Sequence, residues 1–576
     1  MHSEDPVGGS HRAISQLLRH FQRYLNCPST PASSDGRRGI SFFAAIRGKQ
    51  VYTIPNGPRS KSDSNAELIG MGVSDLRKQL FSSDLAVLFL IAFARILLHA
   101  VTNHRYGFHR DELAALDDAR FLDWGYVVYP PLTPFLARVS LILFGLSVVG
   151  LRLFADVAQA AGMFITGLMA RELGGGRSAQ IVAAISAFVA PVSFASGTMF
   201  EYVSFDYIWW VVAAYFSIRL LRTDDARWCV AIGAALGLGA MTKYTIAFFL
   251  AGIVAGTLFT DARRFLRSPW FWCGALLATL ICLPNFIWQV HHHFISLDFL
   301  RSIHARDVRS GATDGFLFAQ FWKCTNVVTA PIWLAGLYYF LVAPSGKRYR
   351  MIGWMYVVPL LLFLLARGRD YYLSPAYPML LAAGSVRGEQ WLNTLSFARA
   401  LVVRRRMYRA LAVSAVLVGL SVLPIAPAGS QWWKFADALN GNFNEEFGWP
   451  EMAETAAHIR DSLPAEDRAH LGILVGDAGQ AGAIHFYGAV YGLPDAISAS
   501  NTHYLRGYGN PPAETLIVIG FSPEARRGFQ SCELAGHLTN RYGIKNSAVG
   551  DYTDVFVCRN LHVPWPDFWQ GIRSFG

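Results

Sequence analysis

The stretch from Asn103 to Leu132, NHRYGFHRDELAALDDARFLDWGYVVYPPL, carries five carboxylates: Asp111, Glu112, Asp117, Asp118 and Asp123. Asp111 and Glu112 come shortly after an apolar run long enough to enter a bilayer. Acidic groups at a membrane boundary are costly and mark a site. A carboxylate there can act as general base on a hydroxyl or amine; the competing reading is a solvated loop. A second stretch, HHHFISLDFLRSIHARDVRSG, brings cations. His291–His293 are metal-ligand types, although three consecutive histidines rarely face one ion. Arg301, His304 and Arg306 can hold a phosphate through charge-assisted hydrogen bonds. Lys243 is a lone charge between two apolar runs (GAMTKYTIAFF), and Arg367, Arg369, Tyr371 and Tyr372 cluster in ARGRDYYLSPAYP. Each alone reads equally well as a snorkelling or interfacial anchor. Together they form a basic, aromatic rim facing an acidic loop, suited to gripping an anionic lipid-linked donor and activating an acceptor.

The elements that must position these residues follow from composition. Of 576 residues, 53% are hydrophobic and only 16% charged, against roughly 25% charged in a soluble domain. The mean hydropathy is +0.29. Disordered and coiled-coil classes are excluded, and an integral membrane protein is expected. The net charge of +11 is spread through apolar sequence, which points away from nucleic acid and towards cytoplasmic membrane loops. Eleven segments have the length and apolarity of spans: 84–102, 153–170, 178–197, 203–221, 228–242, 244–260, 270–290, 325–343, 350–366, 371–387 and 409–427. A twelfth, 133–149, decides the topology. If it lies at the outer interface, the basic loops around Arg171, Arg219, Arg263, Lys347 and Arg404 all fall inside with Arg77 and Lys78. That reading is adopted, with a real span and snorkelling Arg138 as the alternative. It puts the loops 103–133 and 291–324, and everything from 430 onward, outside.

The ends differ from the centre. Residues 1–75 are rich in Ser, Gly, Pro, Arg and Lys and read as a disordered cytoplasmic extension; Met71 is an alternative start. Residues 76–429 form the membrane body. Residues 430–576 alternate short apolar strands (LGILVG, TLIVIG, DVFVC) with helical segments and predict a small exterior α/β domain. Of the seven cysteines, this region holds Cys532 and Cys558, which read as a disulfide in an oxidising compartment or as two buried thiols.

Several pieces resemble a known family. HRDELAALDDARFLDWGYVVYPPLTPFLAR, GLRLFADVAQAAGMFITGLMARELGGGRSAQ, SFDYIWWVVAAYFSIRLLRTDDARW, GLGAMTKYT, CLPNFIWQ and RDYYLSPAYPMLLAAG are similar to glycosyltransferase family 39. These are the dolichyl-phosphate-mannose–protein mannosyltransferases, with bacterial aminoarabinose and galacturonosyl transferases as relatives. NFNEEFGWPEM and AGQAGAIHFYGAVYGLPDAISASN extend the resemblance to the C-terminal region. The resemblance implies a polytopic α-helical fold of the GT-C type, with about 11 membrane helices and interfacial helices in the first outer loop. It implies an inverting transferase that moves a hexosyl or pentosyl group from a polyprenyl-phosphate sugar to a glycan, lipid or protein acceptor in the cell envelope. The site would face the exterior of a bacterial inner membrane, with membrane lipid as a partner and no nucleic acid. By the same resemblance Asp111 is the general base and Glu112 is the second catalytic residue, positioning the acceptor or the base. Lys243 contacts donor phosphate, Tyr371 and Tyr372 sit near the donor with Arg369, and Arg301, His304 and Arg306 match by loop position. No cofactor is assigned. Val128 and Tyr129 stand where many relatives carry Asp-His, and Gln480 where they carry Glu, so a divalent metal stays an open alternative. A transporter or flippase for lipid-linked glycans, or a non-catalytic assembly protein, is the alternative class. No clear internal repeat of the transporter kind is evident.

Overall fold

The apolar runs fold mostly as helices, but several of the eleven expected spans are broken: 178–197 divides into Arg177–Phe188 and Pro191–Ala195, and 371–387 begins in the 3-10 segment Asp370–Ala376. The structure is a computed structural model that describes residues 83–576 except 523, 547–549 and 551. The extension expected over 1–75 and the alternative start at Met71 lie outside the described residues. The membrane body begins with α1 (Asp84–Thr102), followed by the outer-loop helix α2 (Arg110–Asp118) and α3 (Leu132–Phe144). It continues through α4 (Val148–Glu172), α5 (Arg177–Phe188), α6 (Tyr202–Thr223), α7 (Trp228–Ala240), α8 (Ile246–Phe259), α9 (Pro269–His291) and α10 (Ile295–Arg309). It ends with α11 (Ala330–Leu341), α12 (Arg350–Leu365), α13 (Tyr377–Leu392) and α14 (Phe397–Val422). Among the described residues, four helices are long and apolar enough to cross a membrane: α1, α4, α9 and the continuous stretch Pro344–Leu365. The number rises to six if each of two bent pairs counts as one span. These helices make the chain an integral membrane protein, with fewer unbroken spans than the eleven expected.

Segment 133–149 becomes α3, with 13 residues. At 1.5 Å per residue it rises about 20 Å, short of the roughly 30 Å of hydrocarbon. Helix α7 is equally short at 13 residues, so length alone does not separate interfacial from spanning helices here.

The C-terminal region supplies α15 (Gln431–Asn440), α16 (Trp449–Ser462), β1 (Leu471–Val475), α17 (Ala478–Tyr487), β2 (Ala496–Ile497), β3 (Thr515–Ile519), β4 (Phe529–His537) and β5 (Asp554–Leu561). The sheet order is β2-β1-β3-β5-β4. β1 pairs parallel with β2 and β3, while β5 runs antiparallel to β3 and β4. Central β3 is buried along its whole length, as its unbroken TLIVI run requires. Cys532 and Cys558 face each other across β4 and β5 and form a disulfide, which settles the open choice between a bond and two thiols.

This sheet is not hung on a tether. Leu113, Ala115 and Leu116 of α2 share one hydrophobic cluster with Ile473, Val475, Ala481 and Ile484. The close approach comes from two glycines one turn apart on α17. A Cβ on Gly482 would stand 2.3 Å from the Leu113 carbonyl oxygen, and one on Gly479 2.8 Å from that of Arg110. Only hydrogen at both positions lets the helices meet backbone to backbone.

Candidate functional site

Helix α2 starts in a reciprocal cap. The Asp111 backbone N–H donates to His109 Nδ1 at 3.1 Å, and the His109 N–H donates to Glu112 Oε2 at 2.8 Å. The cap sets Asp111 in the first turn, where the helix dipole favours a carboxylate. Positions 111, 114, 115 and 118 then share one helix face, and that face walls a cavity of about 540 Å³.

The rest of the cavity lining includes a cationic and aromatic group. The turn between α7 and α8 presents Lys243, the segment before α13 presents Arg367, Arg369 and Tyr372, and α10 presents His304 and Arg306. Lys243 Nζ lies 4.3 Å from the Tyr372 ring centre, 5.1 Å from that of Tyr202 and 5.4 Å from that of Tyr371. These faces stabilise the cation without neutralising it. Burial lowers the Lys243 ammonium to about 8, against the opposing pull of Asp206 and Glu201. Arg369 forms a bidentate pair with Asp307, 2.6 Å from Nε to Oδ2 and 2.8 Å from NH2 to Oδ1, and its NH1 reaches the Tyr371 hydroxyl at 3.4 Å.

The acidic side is built round two carboxylates. Asp111, its side chain 46% exposed, accepts from Arg110 Nε at 3.0 Å. Glu201, the residue before α6, lines the same cavity and is hydrogen-bonded to Asp111. Enclosure raises both groups, but Arg110 and His109 outweigh it at Asp111 and hold that carboxyl low. At Glu201 enclosure and the Asp111 charge add, and the group is pushed well above the usual range. The two carboxyls are thus pushed apart, Glu201 upward and Asp111 downward, so Asp111 is the more readily ionised of the pair. His109, Asp111 and Glu201 offer ligand atoms within 4.8 Å of one another. Among the described residues this is the one group of three His, Cys, Asp or Glu side chains with a metal-holding geometry, and it is not the His291–His293 run. His292 instead stacks on Trp288, with ring centres 3.9 Å apart.

Not every residue singled out from sequence reaches the cavity. Lys243, His304, Arg306, Arg369 and Tyr372 line it with Asp111, and Tyr371 stands behind, on Lys243 and Arg369. Arg301 is outside, its side chain 77% exposed and paired with Asp298. Helical periodicity explains this: residues 300, 303, 304 and 307 of α10 face the cavity, and position 301 falls off that stripe. Glu112 is also outside it. Fully buried, it accepts from Arg152 Nε at 2.9 Å and NH2 at 2.8 Å, and from the Phe200 N–H at 2.8 Å. It ties α2 to the turn that carries Glu201. Arg152 NH2 also reaches Glu446 at 3.0 Å, and burial raises Glu446 to about 8.

Sequence reasoning missed Glu201, whose signal is a carboxylate immediately before an apolar helix on the same side of the membrane as Asp111. It also missed the contribution of the C-terminal region, where Asp477, Gly479, Thr502 and His503 line the cavity. Of the substituted positions, Tyr129 donates to Asp118 Oδ2 at 2.8 Å. Gln480 Oε1 accepts from the Gly476 and Asp477 N–H groups at 3.0 and 3.1 Å.

Comparison with known proteins agrees with this architecture. Residues 128–288 match the family described as dolichyl-phosphate-mannose-protein mannosyltransferase. The fold is similar to ArnT from Cupriavidus metallidurans bound to undecaprenyl phosphate, with TM-score 0.52 and 18% identity over 81% of this chain and 97% of that one. Against the same protein in the apo state the TM-score is 0.51, with 16% identity over 82% and 97% of the two chains. A search of curated proteins finds no match to the sequence. The fold is thus shared with these ArnT structures, and residues 128–288 are similar to the dolichyl-phosphate-mannose-protein mannosyltransferases.

Proposed function

We propose that the chain is an inverting glycosyltransferase that moves a sugar from a polyprenyl-phosphate donor to an acceptor on the exterior face of the bacterial inner membrane. The observation that carries this reading is one cavity lined both by the Asp111–Glu201 pair and by Lys243 with Arg369. The neighbour ArnT, bound to undecaprenyl phosphate, supports a polyprenyl-phosphate partner here. On this reading residues 76–429 are the catalytic membrane body and 430–576 an exterior α/β region that closes the acceptor side.

The donor phosphate sits at Lys243, with Arg369, Arg306 and His304 around it. Its isoprenoid tail follows a second, apolar cavity of about 400 Å³ between α7, α8 and α9. Phe248 faces the first cavity and Ala247 and Leu250 the second, so one turn of α8 separates headgroup from tail. The acceptor hydroxyl or amine approaches C1 from the Asp111 side. Its heteroatom bonds to C1 as the C1–O bond to phosphate breaks, its proton passes to the Asp111 carboxylate, and the electron pair leaves on the phosphate oxygen. Cationic side chains stabilise that developing charge. If a divalent ion is bound, His109, Asp111 and Glu201 are the residues to hold it, and it would add charge stabilisation on the same wall.

The test is a transfer assay on purified protein in liposomes, with a panel of polyprenyl-phosphate sugars as donors and a membrane extract as acceptor. Release of polyprenyl phosphate by wild type and not by Asp111→Asn is the expected result. Consumption of no donor, or equal release by both proteins, refutes the assignment.

A further inference from the structure

Helix α14 changes character along its length. Residues 397–409 hold Arg399, Arg404, Arg405, Arg406 and Arg409, while residues 410–422 hold no charge. No carboxylate occurs in the sequence between Glu389 and Asp437, and none of the five arginines takes part in an ion pair among the described residues. Arg405, Arg406 and Arg409 are exposed. By helical spacing they share a face with Val413 and Val416, which are 59% and 60% exposed. A long cationic side chain at the end of an apolar helical stripe reaches the headgroup level of a bilayer. A groove of about 490 Å³ opens at this junction. Its α14 wall runs from Arg409 through Val413 and Leu417 to Val418, about 13 Å of helix. The rest of the lining comes from Pro191 and from Trp322, Asn326, Val327 and Val328 around a 93° bend in the chain. Arg409 is the one charged residue in it. Asn326 and Ser414, the amide and hydroxyl of the lining, are bonded to each other, which leaves mainly apolar surface beyond Arg409.

We propose that this groove binds an anionic phospholipid of the surrounding membrane. One acyl chain lies along Val413 and Leu417, and the headgroup phosphate pairs with Arg409, with Arg405 and Arg406 one turn away. Charge complementarity selects the occupant. A soluble anion would leave the apolar walls bare, and a zwitterionic lipid brings its own cation beside the arginines. An anionic phospholipid satisfies both the walls and the charge. The inference does not rest on the transferase reading. The groove shares no lining residue with the cavity that holds Asp111, nor with the apolar cavity between α7, α8 and α9. A lipid seated there joins three stretches distant in sequence: α14, the chain at Pro191 and the bend at 322–328. Lys323 within that bend pairs with Asp370 at 2.8 Å, so the lipid braces the segment that leads into Tyr371 and Tyr372.

The test reconstitutes purified full-length protein in vesicles of equal parts phosphatidylglycerol and phosphatidylcholine. Lipid retained after mild detergent extraction is weighed by native mass spectrometry. Wild type is expected to keep phosphatidylglycerol in preference. Arg409→Gln weakens that retention about fivefold, the weight of one cation at a membrane surface. Leu417→Trp fills the groove, leaves every arginine in place and weakens retention as well; Val413→Phe replaces it should that variant not fold. Added phosphatidylglycerol raises the unfolding temperature of wild type in detergent by mass action and does not raise that of either variant. Equal retention of the two lipids by wild type overturns the inference. So does retention lost in Arg409→Gln but kept in Leu417→Trp, which would mean diffuse charge attraction without a groove. Displacement of phosphatidylglycerol by equimolar undecaprenyl phosphate would give the groove to a polyprenyl chain and overturn it too.

Discussion

Arg152 grips both oxygens of Glu112, through Nε at 2.9 Å and NH2 at 2.8 Å, with neither side chain exposed. The pair joins the start of α4 to the start of α2. Through the Phe200 N–H on the same carboxylate it sets the distance between Asp111 and Glu201. On the proposed reading Glu112 acts as a positioning residue. Glu112→Ala leaves Arg152 with only Glu446 and backbone oxygens as partners, and breaking a buried pair costs about 3–5 kcal/mol. A fall in thermal unfolding temperature together with lost transfer is expected. Lost transfer at unchanged stability would instead place Glu112 at the substrate.

On the proposed mechanism Asp111→Asn removes the proton acceptor and keeps the shape. Transfer falls by roughly 10²–10⁴-fold, the usual contribution of a general base, while undecaprenyl-phosphate binding and unfolding temperature hold. Glu201→Gln keeps a hydrogen-bond donor towards Asp111 and is expected to cost less. Equal losses for the two variants would make Glu201 the proton acceptor.

Lys243 sets an alkaline limit. Burial depresses its ammonium to about 8, and a lysine is charged below its pKa. On the proposed reading, affinity of the ligand-free protein for a polyprenyl phosphate is expected to be full below about 8 and to decline as pH rises through it. Lys243→Arg stays charged and flattens this limb; Lys243→Ala loses roughly ten- to a hundredfold in affinity at neutral pH, the weight of one charge-assisted hydrogen bond. Binding titrations across pH 6–10 check the shape.

Asp117 sets an acid limit on stability. Burial raises its carboxyl, but His485 and His503 overcome that and hold it far below the usual range. A depressed carboxyl contributes stability above its unfolded pKa of about 3.9 and loses it as pH falls below that value. Asp117→Asn is expected to lower the unfolding temperature at neutral pH and to weaken its dependence on acid. An unchanged acid profile would show that other carboxylates govern it.

Gly482→Ala tests the contact between α17 and α2 from a distance. The added methyl meets the Leu113 carbonyl at 2.3 Å, so α2 must move. Overpacking costs about 1–3 kcal/mol, and transfer should fall more than stability because Asp111 shifts with the helix. Unimpaired transfer would show that the site tolerates displacement of α2.

The class of the molecule is written in local sequence. Hydropathy over some 20 residues is a local property, so the helices of the membrane body were legible, as were the C-terminal strands and the acidic loop opposite a basic, aromatic rim. Residue types at helix ends also pointed to Asp111, Lys243 and Arg369, because charge next to apolar sequence is costly wherever the chain folds. Which charges meet depends on long-range packing. Glu112 stands beside Asp111 in sequence yet points away from it, since adjacent residues on a helix lie about 100° apart. Arg301 turned to solvent for the same reason, three residues from His304. Glu201 and His503 lie 90 and 392 positions beyond Asp111, and no spacing announces them. They reach the cavity through the Glu112–Arg152 pair and through two glycines that let α17 lie against α2, and such long-range packing is specified by shape rather than by local pattern.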